Sequence, residues 1–99
     1  MADPHPGASS TVELTVANDL GLHARASAKI VNLANEFDAE TEIWLSYRGV
    51  EVSARSILGL MMFAAPKGAR LTARATGPRA AEALARLEDL FRRRFDEEG

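Results

Sequence analysis

Thr41-Glu42-Ile43-Trp44-Leu45-Ser46-Tyr47-Arg48-Gly49-Val50-Glu51-Val52-Ser53-Ala54 alternates apolar and polar side chains twice, with Arg48-Gly49 between the two runs. In an extended chain successive side chains point to opposite faces, so Thr41, Ile43, Leu45 and Tyr47 share one face while Glu42, Trp44 and Ser46 share the other. A second run that resumes the alternation after a glycine-containing break predicts a β-hairpin. Val50, Val52 and Ala54 continue the apolar face against Glu51 and Ser53. Trp44 and Tyr47 are read as strand residues that pack on or cover the sheet.

The period changes on both sides of this hairpin. Upstream, Ala26, Ile30, Leu33 and Phe37 recur at helical spacing and predict an amphipathic helix over 24–36, with Lys29, Asn32 and Glu36 turned away from its apolar stripe. Before that, Val12, Leu14 and Val16 alternate with Thr11, Glu13 and Thr15, a half-buried strand over 11–17 that stops at the turn-forming Asn18-Asp19. Downstream, Ser56 opens a short apolar helix to Phe63, which Pro66-Lys67-Gly68 breaks. Leu71, Ala73 and Ala75 then alternate with Arg70, Thr72 and Arg74 in a fourth strand, closed by Gly77-Pro78. Ala80, Leu84, Leu87 and Phe91 stripe a final helix over 79–95, with Glu82–Arg86, Glu88–Arg92 and Asp89–Arg93 as favourable pairs four residues apart. The order β-α-β-β-α-β-α, with one-faced strands, predicts an α/β (α+β) two-layer sandwich: four strands covered on one face by three helices, the other face open.

Residues 1–10 contain Pro4, Pro6, Gly7 and two serines but almost no bulky apolar side chain, so they are expected to form a disordered tail. The domain is expected to span 11–95, and 96–99 to form an acidic C-terminal tail. At 99 residues, with 46% hydrophobic and 26% charged positions, one core and one domain are the expectation. The absence of cysteine removes disulfides and thiolate metal sites, and with His5 and His23 as the only histidines no metal and no cofactor is expected. No apolar stretch is long enough to span a bilayer, so no membrane insertion is expected and the cytoplasm is the expected location. A net charge of −2 lacks the basic field of a nucleic-acid binder.

Chemistry concentrates at Gly21-Leu22-His23-Ala24-Arg25, between a strand end and a helix start. The first N–H groups of a helix have no intrahelical acceptor, and with the positive end of the helix dipole they suit a phosphate. Arg25 adds a planar set of charged donors, and glycine lets the backbone come close. A neutral imidazole nitrogen is a good nucleophile near neutral pH, and its bond to phosphorus is labile enough to be passed on. The same pattern also describes a histidine that merely caps a helix, and spacing alone leaves both readings standing. The second cluster is Ser53-Ala54-Arg55-Ser56-Ile57-Leu58-Gly59-Leu60-Met61-Met62-Phe63. Ser56 reads as an N-cap. Leu60 and Phe63 fall on the core side of a helical wheel, whereas Ile57, Leu58 and Met61 fall on another arc, a candidate docking patch.

Taken together, these two stretches, with Lys67-Gly68 and Ala75-Thr76-Gly77-Pro78, resemble in order and spacing the histidine-containing phosphocarrier family, HPr, and its nitrogen-branch relative NPr. The resemblance runs over nearly all of 11–95. It implies an open-faced sandwich with an antiparallel sheet in the order 1-4-2-3. It also implies a relay in which enzyme I, charged by phosphoenolpyruvate, phosphorylates His23 on Nδ1, Arg25 helps hold and release the phosphate, and an enzyme IIA domain receives it. By the same resemblance Ser56 is a regulatory phosphorylation target of an HPr kinase/phosphorylase, and Ile57, Leu58 and Met61 meet partners. The chain departs from the family where Ala26-Ser27 follow Arg25, since the family usually places a proline there, and its hairpin reads slightly longer than usual. The closing Phe95-Asp96-Glu97-Glu98 looks NPr-like and Ser56 HPr-like, which leaves sugar and nitrogen branches both open.

Two other classes compete. A regulatory adaptor would use phosphorylation at Ser56 or His23 to switch partner binding, and an RNA-binding sandwich would use Arg70 and Arg74 on the open sheet, though it lacks the aromatic stacking pairs such modules need. With no second acid, base or nucleophile near His23 in the sequence, the chain reads as a phosphoryl-transfer intermediate, not as an autonomous enzyme.

Overall fold

The structure is a computed structural model that describes residues 10–99. Its elements in chain order are β1 (Ser10–Thr15), α1 (Ala24–Asn35), β2 (Glu42–Tyr47), β3 (Val50–Ser53), α2 (Ile57–Met62), β4 (Arg70–Thr76) and α3 (Ala80–Arg92), followed by a single 3-10 turn, Arg94–Asp96. The four strands form one antiparallel sheet in the order β1-β4-β2-β3. This is the open-faced α+β sandwich that the alternation and helical stripes predict.

Register explains why one face is apolar. Leu14 sits opposite Leu71 and Val12 opposite Ala73, while Ile43 faces Ala75 and Leu45 faces Ala73 across the other edge of β4. Because side chains alternate with a period of two, these pairs all point to the helical layer. The small Ala73 and Ala75 of the central strand are fully buried beneath Leu84, Leu87, Leu90 and Phe91 of α3 and Ile30 and Leu33 of α1. The opposite face is polar, and there the Arg74 guanidinium stacks 4.2 Å from the Trp44 ring centroid and pairs with Glu51 at 3.1 Å. Trp44 thus covers the open face, whereas Tyr47 packs edge-on against Phe63 with ring centroids 5.9 Å apart.

Several boundaries differ from the expectation. Ser10, assigned to the tail, pairs with Ala75 as the first residue of β1, because Thr76 of β4 extends the partner edge that far; residues 1–9, and with them His5, lie outside the described residues. The last helix ends at Arg92 instead of 95, as Arg94, Phe95 and Asp96 all take positive φ. Phe95 still reaches the core, fully buried and edge-on to Phe91 at 4.8 Å, but it does so from the turn. Of the three charge pairs predicted on this helix, Asp89–Arg93 forms at 2.9 Å. Arg86 instead crosses to Glu36 at the end of α1, Glu82 is engaged by Arg79, and Arg92 approaches Asp89 at 3.9 Å. Exposed partners of similar reach compete for each arginine, and differences of a few tenths of a kcal/mol decide among them.

Candidate functional site

The loop from β1 to α1 is held by buried polar contacts. Asn18 is fully buried and its amide donates to the Gly21 carbonyl at 2.8 Å. Gly21 has φ +69, and a Cβ on it would run into the carbonyl oxygen of Ala65. Here glycine is required twice over, for the left-handed backbone and for the close approach. The next amide, that of Leu22, donates to the same Ala65 carbonyl at 2.9 Å, which pins the loop to the α2–β4 connection.

These contacts set the entry to α1. His23 is its N-cap, with extended backbone (φ −76, ψ −178). Its Nδ1 accepts from the Arg25 backbone N–H at 3.3 Å, and its carbonyl accepts from the Ser27 amide at 2.9 Å. Ala26, which stands where the family usually has a proline, and Ser27 after it are both fully buried, and Ser27 Oγ donates to the Leu22 carbonyl at 3.3 Å. The Ser27 hydroxyl thus braces the first turn of α1, whose φ at 26 no proline fixes.

The second ring nitrogen has a partner that the sequence reading placed in a tail. Nε2 lies 2.5 Å from Glu97 Oε2, and Glu97 Oε1 accepts from the Asn18 amide at 3.0 Å. Burial pushes the Glu97 carboxyl up, but the hydrogen bonds from His23 and Asn18, with the nearby charges of His23 and Lys29, prevail and hold it below its ordinary value. An ionised carboxylate accepts only, so Nε2 must carry the proton; Nδ1, facing an N–H, must present its electron pair. The His23 side chain remains 27% exposed, so this pair is reachable from outside.

The remaining candidate residues divide into two groups. Met61 and His23 line one depression of about 420 Å³ together with Leu20, an exposed leucine of the β1–α1 loop. Arg25 is exposed and lines a neighbouring depression with Asp19, Lys29 and Glu97. Ser56 caps α2, accepting from the Gly59 amide at 3.1 Å, and Leu60 is buried beneath it. Ile57, Leu58 and Met61 are exposed to 38%, 71% and 39%, and Met62, at 83%, extends the same apolar surface. Ser56, Ile57 and Leu58 stand apart from the His23 depression and reach it only through Met61. Among the described residues no cluster of His, Asp and Glu could hold a metal ion, and no helix is long and apolar enough to cross a membrane.

A family model for the phosphotransferase-system (PTS) HPr component phosphorylation site matches residues 10–93. The chain belongs to the HPr family. It is 45% identical over 86 residues to the phosphocarrier protein HPr of Xylella fastidiosa, an alignment covering 87% of this chain and 94% of the relative. To the phosphocarrier protein NPr of Escherichia coli K12 it is 42% identical over 88 residues, covering 89% and 94%. Among solved structures, HPr-C-His of Thermoanaerobacter tengcongensis superposes with a TM-score of 0.84 at 33% identity, covering 91% of this chain and 99% of that one. HPr of Bacillus anthracis superposes with a TM-score of 0.77 at 34% identity, covering 83% and 95%. Membership makes the chain a phosphocarrier of the phosphotransferase system.

Proposed function

We propose that His23 is the phosphoryl acceptor and that the chain carries phosphate from enzyme I to an enzyme IIA-type acceptor of the sugar or nitrogen phosphotransferase system. The observation that carries this reading is the state of the ring: Nδ1 turns its electron pair to the N-terminus of α1 while the side chain stays partly exposed. Attack by Nδ1 on the donor's phosphorus forms one N–P bond as the donor's bond to phosphorus breaks, and no proton has to leave His23. The new phosphate then lies at the mouth of α1, where free N–H groups and the helix dipole favour negative charge and the exposed Arg25 guanidinium can swing in. Ile57, Leu58 and Met61 form the apolar surface on which the partner proteins dock, next to the His23 depression. Both partners are soluble in this reading, and the cycle runs in the cytoplasm.

Incubation with enzyme I and phosphoenolpyruvate tests it. Acid-labile, alkali-stable phosphate is expected on the protein, retained in His5→Ala and lost in His23→Ala; label that persists in His23→Ala rejects the assignment.

A second reading rests on Ser56. Its hydroxyl caps α2 at the edge of the exposed apolar surface, where an HPr kinase/phosphorylase would place a phosphate of about −2 charge beside the docking patch. A structural neighbour at a TM-score of 0.67 and 31% identity is the Bacillus subtilis catabolite repression protein Crh. In this reading the chain is an adaptor whose partner binding is switched at Ser56 or His23. Unchanged partner affinity in Ser56→Asp counts against it.

A further inference from the structure

After α3 the chain takes three successive left-handed residues, Arg94, Phe95 and Asp96, with φ of 55, 56 and 61. Non-glycine side chains disfavour that region, so the turn persists only because its surroundings hold it. Phe95 is fully buried against Phe91, and its carbonyl accepts from Lys29 Nζ at 2.5 Å. The result of this anchoring is that Glu97, 74 residues along the chain from His23, delivers its carboxylate to Nε2. Asn18 holds the other carboxylate oxygen and, through the Gly21 carbonyl, the loop that carries His23.

We propose that Glu97 is a positioning residue for His23, accepting from Nε2–H so that the ring keeps the tautomer and orientation that aim the Nδ1 electron pair at the N-terminus of α1. The catalytic half of this proposal rests on His23 being the phosphoryl acceptor. Once Nδ1 is bonded to phosphorus, the ring carries a positive charge and Nε2 keeps its proton; the Glu97 carboxylate offsets that charge. A carboxylate behind a reacting imidazole orients it and stabilises its cationic form. Lys29 and Arg25 of α1 bring positive charge to the same depression, opposed there by Asp19, Asp96 and Glu98. Of these, Lys29 helps keep Glu97 ionised, so that the proton stays on Nε2. Glu97 thereby speeds loading of phosphate.

Wild type, Glu97→Ala and Glu97→Gln, each as the full chain, test this by two measurements. Nitrogen-15 NMR of the unphosphorylated ring at pH about 9, where an ordinary imidazole is neutral, reads the Nε2–H proton directly. It is expected to exchange slowly with water in wild type and in Glu97→Gln, whose amide oxygen still accepts, and rapidly in Glu97→Ala. Loading from phosphoramidate, a small donor that needs no docking surface, reads the chemistry: the Nδ1 pair attacks phosphorus and ammonia leaves with the electron pair of the broken bond. Loading is expected to slow about tenfold in Glu97→Ala, the lower end of what an orienting partner of an imidazole contributes. Glu97→Gln should fall between. An unchanged Nε2–H exchange rate, or an unchanged loading rate, in Glu97→Ala overturns the proposal. Failure of the acceptor reading shows up elsewhere, as label that survives His23→Ala, and the exchange measurement does not depend on it.

Discussion

The Arg55 guanidinium lies 3.0 Å from the carbonyl oxygen of Ala34, at the end of the helix that begins with His23. The same nitrogen reaches the carbonyls of Phe37 at 3.0 Å and Asp38 at 3.2 Å, and Nε donates to Asn35 Oδ1 at 3.2 Å. The last carbonyls of a helix have no intrahelical donor, and α1 has no basic residue in its own last turn. Arg55, from the β3–α2 connection, fills that role and ties the end of α1 to the start of α2. Arg55→Ala is expected to lower stability by about 2 kcal/mol, the scale of several hydrogen bonds to one charged group. Urea denaturation should show a lower midpoint at unchanged slope. Arg55→Lys should recover only part, because an ammonium cannot reproduce the planar fork.

Ser56 follows at once and is an N-cap whatever else it does. Ser56→Ala removes the acceptor for the Gly59 amide and should cost about 1 kcal/mol, whereas Ser56→Asp keeps an acceptor in place and should remain near wild type. Denaturation of the two variants side by side checks this. Equal losses would mean that the hydroxyl does not hold α2 in place.

How much of this was legible in the sequence follows from the range of each interaction. Hairpin, helices and both caps are local: alternation in 41–54, the stripe through Ala26, Ile30 and Leu33, and a serine ahead of an apolar run carry their own signals. His23 and Ser56 were found because capping chemistry acts within four residues. Glu97 was missed because nothing near it in sequence distinguishes a ligand of His23 from an acidic tail; the contact exists only once three left-handed residues fold the chain back. Asn18 read only as a turn former, though its burial makes it the bridge between the two segments. The predicted helix extends to 95, past its stripe of Ala80, Leu84, Leu87 and Phe91, because a phenylalanine four residues after Phe91 fits the period although it is buried from a turn.

Gly21→Ala and Gly49→Ala separate two costs. Both glycines have positive φ, but a Cβ at Gly49 meets open space while one at Gly21 collides with the Ala65 carbonyl. Gly49→Ala should cost about 1 kcal/mol, the backbone penalty alone. Gly21→Ala should cost 1–2 kcal/mol more, roughly the price of a displaced backbone contact. It should also slow phosphorylation of His23, since the loop that presents the ring moves with it. Thermal melts of both variants, paired with the enzyme I assay, measure the difference. Equal destabilisation would show that the close approach to Ala65 carries no weight.

Acid should undo the contact between the two ends of the site, and the sign follows from Glu97. Its carboxyl is held below the ordinary glutamate value of 4.5, burial being outweighed by the donors His23 and Asn18 and the charges of His23 and Lys29. A group whose pKa is lower in the folded state binds its proton more readily when unfolded, so it adds stability that is complete above the unfolded value and is lost as pH falls through the folded one. Glu97→Gln has nearly the same shape and carries no charge at any pH, much as the protonated glutamate does. The melting temperature of wild type should therefore exceed that of Glu97→Gln at about pH 5, where the carboxylate is ionised, and the margin should close as pH falls further. A margin that stays constant into acid, or widens there, would mean that the ionised carboxylate is not what holds the C-terminal turn to His23.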